Sequence, residues 1–202
     1  MRIIRSISED EMVAEFLKAE VNSDRFSLTI LDLLAQTGID KNILLNPNLK
    51  DPIENNYRRQ LLTKYRGYQQ NSLIFDHFPN DIKWFDATIS KDELGKVMYI
   101  NWDYWLDVSN GTRLPKFVAQ KIKDGKLPED KEIMRFKTIA NAMRLGIKVP
   151  RLILIAKDEK AKLVVLEGHA RITAFLLIPE TLPNDIEVII GLSKKLTDYN
   201  LY

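Results

Sequence analysis

Cysteine is absent from the 202-residue chain. That removes disulfides, thiolate nucleophiles, zinc–thiolate sites and iron–sulfur clusters together. Histidine is nearly as scarce. His77 and His169 are the only two, more than ninety residues apart, so an imidazole-rich metal cluster is excluded as well. Glycine and proline number eight each, too few for a collagen-like or linker-rich chain. No apolar run approaches the length of a bilayer span. The opening segment, MRIIRSISEDEMVAEFLK, reaches acids at Glu9 and Asp10 rather than carrying a secretory apolar stretch. The expectation is a cytoplasmic protein with no membrane partner.

Charge of one sign is also lacking: 30 Lys plus Arg stand against 28 Asp plus Glu, for a formal charge of +2. With 45% hydrophobic and 29% charged residues, the composition is that of a globular domain. The small net charge conceals a basic stretch. Residues 113–148 hold ten Lys or Arg and four acids, enough to surround a polyphosphate or to touch a nucleic-acid backbone. Most basic runs are nevertheless solvated helix faces.

The first seventy residues read as helical. Ser8 with Glu9, Asp10 and Glu11 forms a capped helix start, followed by Met12, Val13, Phe16 and Leu17 at helical spacing. A second helix uses Phe26, Ile30, Leu31 and Leu34 and ends at Gly38, and Asp51-Pro52 caps a third. A compositional boundary falls within Gly67–Asn80, giving an expected division into a helical extension, residues 1–80, and a second unit, residues 81–202. In that unit Lys83–Ile89 is a strand candidate, and Ser90–Glu93 is a capping box. Thr112 is a candidate helix cap, and Asp130–Leu145 is an amphipathic helix. Strands are expected at Leu152–Ala156, Leu163–Leu166 and Ile186–Ile190, with a helix at Ala170–Leu177. The fold class is α+β.

The most informative stretch is Leu163-Val164-Val165-Leu166-Glu167-Gly168-His169-Ala170-Arg171-Ile172-Thr173-Ala174. An apolar strand meets a glycine and leaves directly as a helix. Gly168 permits the tight turn, the first helical N–H groups face outward, and Arg171 supplies a charge partner for an anion. His169 can donate to phosphate or act as acid–base. Glu167 ends a buried strand, where a carboxylate needs a partner. It can face a nucleotide-bound metal, serve as a base, or pair with Arg171. Thr173 reads as an exposed helix residue. Trp102, Tyr104 and Trp105 read as core more readily than as a base-stacking platform, and Asn110–Arg113 as a polar loop over the same region.

Gly168, Arg171 and Ala174 match a Gly-X-X-Arg-X-X-Ala box. Before it come an amphipathic helix, Val149-Pro150, a strand, a charged turn and a second strand. In this order the chain resembles the ParB/sulfiredoxin superfamily, in a variant with Glu167-Gly168-His169 at the box. The resemblance begins near Trp84, is strongest from Ile133 to Ile178, and leaves out the helical N-terminal part. It implies a small mixed sheet with packed helices. Its box would grip the phosphates of a nucleoside triphosphate, ATP or CTP, with Mg²⁺ where phosphoryl chemistry occurs. Gly168, His169, Arg171 and, on the neighbouring helix, Arg144 would bind the ligand, with Glu167 and His169 as candidate catalytic groups. Sulfiredoxin chemistry is excluded, because His169 stands where that enzyme needs its cysteine. The chain ends soon after Ile190, so the helix-turn-helix and dimerisation domains of a complete partition protein are not expected.

Three functions follow from this reading. The first is a nucleotide- or phosphate-binding protein, with phosphoryl transfer or nucleotide hydrolysis as its enzymatic form. The second is a non-enzymatic, DNA-associated or regulatory adaptor that meets DNA, a protein partner or a second copy of itself through the basic stretch. The third, a nuclease, lacks a recognisable cluster of metal-binding carboxylates.

Overall fold

A computed structural model describes residues 1–202. The fold is α+β, built on one five-stranded mixed sheet. In chain order the elements of the first half are β1 (Arg2–Ile7), α1 (Glu9–Glu20), α2 (Ser27–Thr37), α3 (Asn42–Leu45) and α4 (Pro52–Arg66). The middle of the chain gives β2 (Lys83–Ser90), α5 (Lys91–Leu94), α6 (Asp103–Val108), α7 (Pro115–Lys123) and α8 (Lys131–Arg144). The last part gives β3 (Leu152–Ala156), β4 (Val164–Glu167), α9 (His169–Leu177) and β5 (Asp185–Leu192).

The strand order is β1-β2-β5-β3-β4. β3 and β5 run parallel, and every other neighbouring pair is antiparallel. All five residues of β3 are buried, as a near-continuous apolar run in a covered sheet should be. Beyond β4, Met98 bridges Val164 and satisfies part of that edge.

Local signals set most helix ends. The Ser8 hydroxyl accepts from the Glu11 N–H while Glu11 accepts from the Ser8 N–H, a reciprocal capping box at α1. Ser90 and Glu93 repeat it at α5. Asp51 caps α4 ahead of Pro52, and Asp130 caps α8. Gly38 closes α2 in the left-handed conformation. At Thr112 the sequence expectation fails. The helix begins at Pro115, with Leu114 as its N-cap residue, and the Thr112 hydroxyl instead closes its own loop onto the Ser109 carbonyl at 2.8 Å.

Residues 2–7 depart from the all-helical reading of the N-terminal part. They form an edge strand paired to β2, with Ile7 as the one buried member. The division expected near residue 80 is therefore crossed by the sheet. A core of 43 buried residues crosses it too, running from Ile7 to Tyr199. Even Gly67–Asn80 is tied in: Phe75 packs on Phe16, Tyr68 and Phe78, and the Tyr199 hydroxyl donates to the Ile74 carbonyl.

Charged side chains join the same elements. Arg151, just before β3, reaches Glu15 of α1 at 3.3 Å and Asp86 of β2 at 2.7 Å, and Arg5 of β1 meets Asp86 at 2.8 Å. No helix is long and apolar enough to cross a membrane.

Candidate functional site

β4 ends at Glu167, Gly168 turns the chain, and α9 starts at His169. Gly168 has φ of 107°, and a Cβ there would stand 2.6 Å from the Leu152 side chain and 3.0 Å from an Arg171 nitrogen. Both the conformation and the space call for glycine. No side chain caps α9, so its first N–H groups keep their hydrogen-bonding capacity for an anion.

Arg171, one turn into α9, is buried with 9% of its side chain exposed. Its guanidinium pairs with Glu167 and donates to the Arg151 carbonyl at 3.3 Å. Its Nε is buried and has no partner. Burial raises the Glu167 carboxyl above the usual range, against the pull of Arg171 and Arg66. Of the alternatives open for Glu167 in the sequence, pairing with Arg171 is the one present.

His169 lies in an aromatic stack. Its ring is 5.1 Å from that of Trp105 at 12° and 6.1 Å from that of Tyr99 at 15°. Burial pushes its pKa down to about 3, helped by the charges of Arg66, Arg25, Arg171 and Arg135. The imidazole is therefore neutral near pH 7. In this arrangement it is a hydrogen-bonding group rather than a charged acid, and its Nε2 is buried without a partner. Thr173 is fully buried, not exposed. Its hydroxyl bonds with that of Tyr99 and donates to the His169 carbonyl at 3.0 Å, fixing the stack to the first turn of α9.

Residues from the N-terminal helices complete the cluster. Glu20, at the end of α1, is 3% exposed. It accepts from the Tyr65 hydroxyl and faces Arg66 at 3.4 Å. Burial raises its pKa to about 7, opposed by Arg66, reinforced by Glu167, and opposed again by Tyr65 and Arg171. Arg25 lies on the turn between α1 and α2, and Arg135 on α8. Arg135 pairs with Glu132 and has a buried, unpartnered Nε. The nearby Tyr104 hydroxyl is likewise buried and unpartnered.

Sequence reading missed Glu20, Tyr65, Arg66 and Arg25. A signal was present. Glu20 is seven residues after Val13, four after Phe16 and three after Leu17, which puts a carboxylate on the apolar stripe of its helix. Arg66 stands in the same relation to Leu62.

Arg144 is not brought to the box. It lies nine residues after Arg135, about 13 Å further along α8, where it is half exposed beside Asn141 and Glu180. α8 sets Arg135 toward His169 and carries Arg144 to the other end. The Asn110–Arg113 loop also serves elsewhere: Arg113 donates to the carbonyls of Tyr99, Leu201 and Tyr202 and so anchors the C-terminal residues. Trp105 is buried in the stack, and Trp102 is half exposed.

The basic stretch is mostly spent internally. Lys121 and Lys123 donate to the Val108 and Leu176 carbonyls, while Lys126 and Lys137 pair with Asp124 and Glu129. Only Lys116, Lys131 and Lys148 of its ten cations lack a hydrogen-bond or ion-pair partner.

Two cavities lie away from the box. One, of about 200 Å³, is apolar and sits among Leu33, Leu34, Ile39, Ile43 and Leu61. The other is a polar groove beside Asp81, Lys157 and Glu159. Neither gathers unpartnered donors as the box does. No group of three or more His, Asp and Glu side chains comes together to hold a metal ion. Comparison with family models, curated proteins and solved structures gives no match.

Proposed function

We propose that this chain is a ParB/sulfiredoxin-like protein that binds a phosphate-bearing ligand of the nucleotide class, ATP or CTP, at the turn from β4 into α9. The observation that carries the reading is the gathering of unpartnered polar atoms, most of them donors. Seven side-chain polar atoms of the molecule are buried without a partner. Three of them, on Tyr104, His169 and Arg171, lie at the turn and its aromatic stack, and two more, on Arg66 and Arg135, belong to guanidiniums whose charge acts on His169. Buried polar atoms without partners are expensive and uncommon. A phosphate supplies several strong acceptors and the negative charge that clustered guanidiniums favour. The uncapped α9 N-terminus adds its N–H groups to the same place.

Binding fits this site better than catalysis. Glu167, the carboxylate best placed to act as a base, is held by Arg171. Glu20 and Glu167 are both buried and ion-paired, a poor donor set for Mg²⁺ by themselves. The ion would be held chiefly by the nucleotide's own phosphates. Once there it would neutralise phosphate charge, while Arg171 and the α9 N–H groups orient the chain of phosphates. A cytoplasmic nucleotide sensor or adaptor accommodates these facts. Contact with DNA through the basic stretch draws less support, because most of that stretch is already paired.

Calorimetric titration with ATP, CTP, GTP and ADP, with and without Mg²⁺, tests the reading. At least one nucleotide is expected to bind, and Arg171→Ala to weaken it by more than about tenfold, as loss of a charged hydrogen-bond pair requires. Absence of binding by all four overturns it.

A further inference from the structure

We infer that the N-terminal helices supply the second half of this anion site, with the Arg66 guanidinium taking a phosphate oxygen of the ligand in place of the Glu20 carboxylate. The inference rests on the nucleotide-class reading above and adds a gripping residue from outside the box, together with the group the ligand displaces.

Arg66 is held rigidly but satisfied poorly. It is the last residue of α4, and Gly67 follows with φ of 78° in a turn where a Cβ would collide with the Ser72 carbonyl oxygen. The guanidinium packs over the Phe26 ring at 4.4 Å and near that of Phe16 at 5.9 Å. Those rings shield part of it from water. Its ion pair with Glu20 is long, at 3.4 Å, and Nε has no partner. A guanidinium has five N–H donors. The fully buried Arg58 uses several, with the Ile43 and Asn48 carbonyls, Glu54 and Asn55, whereas Arg66, with 17% of its side chain exposed, has the one long pair and a buried Nε that is left over.

Its position points at the box. The helix that carries Glu20 is tied to the box through Arg151, whose N–H and guanidinium donate to Glu15 of α1 and whose carbonyl accepts from Arg171; Arg66, paired with Glu20, acts on His169 together with Arg171. Glu20 in turn feels both Glu167 and Arg171. The two acid–arginine pairs, Glu20 with Arg66 and Glu167 with Arg171, thus act on one another at the junction between the helices and the sheet. Each guanidinium is paired to a carboxylate. A dianionic phosphate carries more charge and more acceptors than a carboxylate and can span both arginines. Glu20 is the carboxylate suited to yield. Its contact with Arg66 is long, at 3.4 Å, and the Tyr65 hydroxyl keeps it paired when that contact is given up, whereas Glu167 is in close contact with Arg171.

The test uses the full chain with the tightest-binding nucleotide and with inorganic pyrophosphate as probes, in Arg66→Ala, Arg66→Lys, Glu20→Gln and Arg171→Ala. Arg66→Ala is expected to weaken binding at least about tenfold, and Arg66→Lys severalfold, since lysine keeps the charge but loses the fork. Glu20→Gln is expected to tighten binding, because a competing carboxylate is removed. A residue that merely props the fold has no such effect. If Arg66→Ala does not fold, Arg66→Lys decides, and wild-type affinity in it overturns the inference. Binding that Arg171→Ala weakens and both Arg66 variants leave unchanged overturns the inference while the nucleotide reading stands. Weaker binding in Glu20→Gln overturns the exchange of carboxylate for phosphate. Failure of the wild type to bind any probe overturns inference and reading together.

Discussion

Glu20 is a carboxylate on the apolar stripe of α1, and its titration is set by where it lies. Burial holds its pKa at about 7, against the opposing pull of Arg66. Between the ordinary glutamate value and that level, the folded chain keeps a proton that the unfolded chain gives up. Stability therefore falls as pH rises across the window. His169 acts in the opposite sense. With its pKa lowered to about 3 by burial and the neighbouring guanidiniums, the folded ring stays neutral where the unfolded one gains a proton, so its contribution is lost as pH falls. Comparing Glu20→Gln with the wild type cancels the histidine. The variant's melting temperature, measured against that of the wild type, should rise between about pH 5 and about pH 7.5. A difference independent of pH would mean that Glu20 is solvated. The position was legible in the sequence as a charge at a stripe position. Its partners were not, because Tyr65 and Arg66 lie some 45 residues further along, and only the tertiary fold brings them together.

At the scale of elements, α9 depends on the residue before it. Replacing Gly168 by alanine places a side chain in a left-handed conformation and drives it into Leu152 and Arg171. The strain and the overpacking together should cost about 3 kcal/mol, read as a lower urea midpoint, with α9 displaced from β3. A variant as stable as the wild type would contradict the packing described. The strand–glycine–helix sequence at residues 163–174 announced this turn, as Ser8, Asp51, Ser90 and Asp130 announced their helices, because each signal is carried by neighbours in the chain. β1 gave no such signal. Its residues do not alternate cleanly, most face solvent, and its pairing with β2 spans more than seventy residues. Arg144 shows the same limit in another form. Its helix was correctly read, but the direction in which α8 lies along α9 decides that Arg135, and not Arg144, meets the box.

Across the whole molecule, the site sits at the seam between N-terminal helices and sheet rather than within the C-terminal unit alone. Glu20, Arg66 and Arg25 come from one side, and Glu167, His169 and Arg171 from the other. The composition left this unreadable, since a net charge of +2 gives no hint that guanidiniums gather around one imidazole. The scarcity of histidine makes the seam measurable. His169 lies in the cluster and His77 is exposed elsewhere, so a ring-nitrogen NMR spectrum contains one reporter for the site and one internal control. On addition of the nucleotide that binds, the His169 signals should move as Nε2 gains an acceptor and the surrounding positive charge is offset, while those of His77 stay in place. A spectrum in which saturating nucleotide leaves His169 unmoved, or shifts His77 alone, would contradict a phosphate-binding site at Gly168–Arg171.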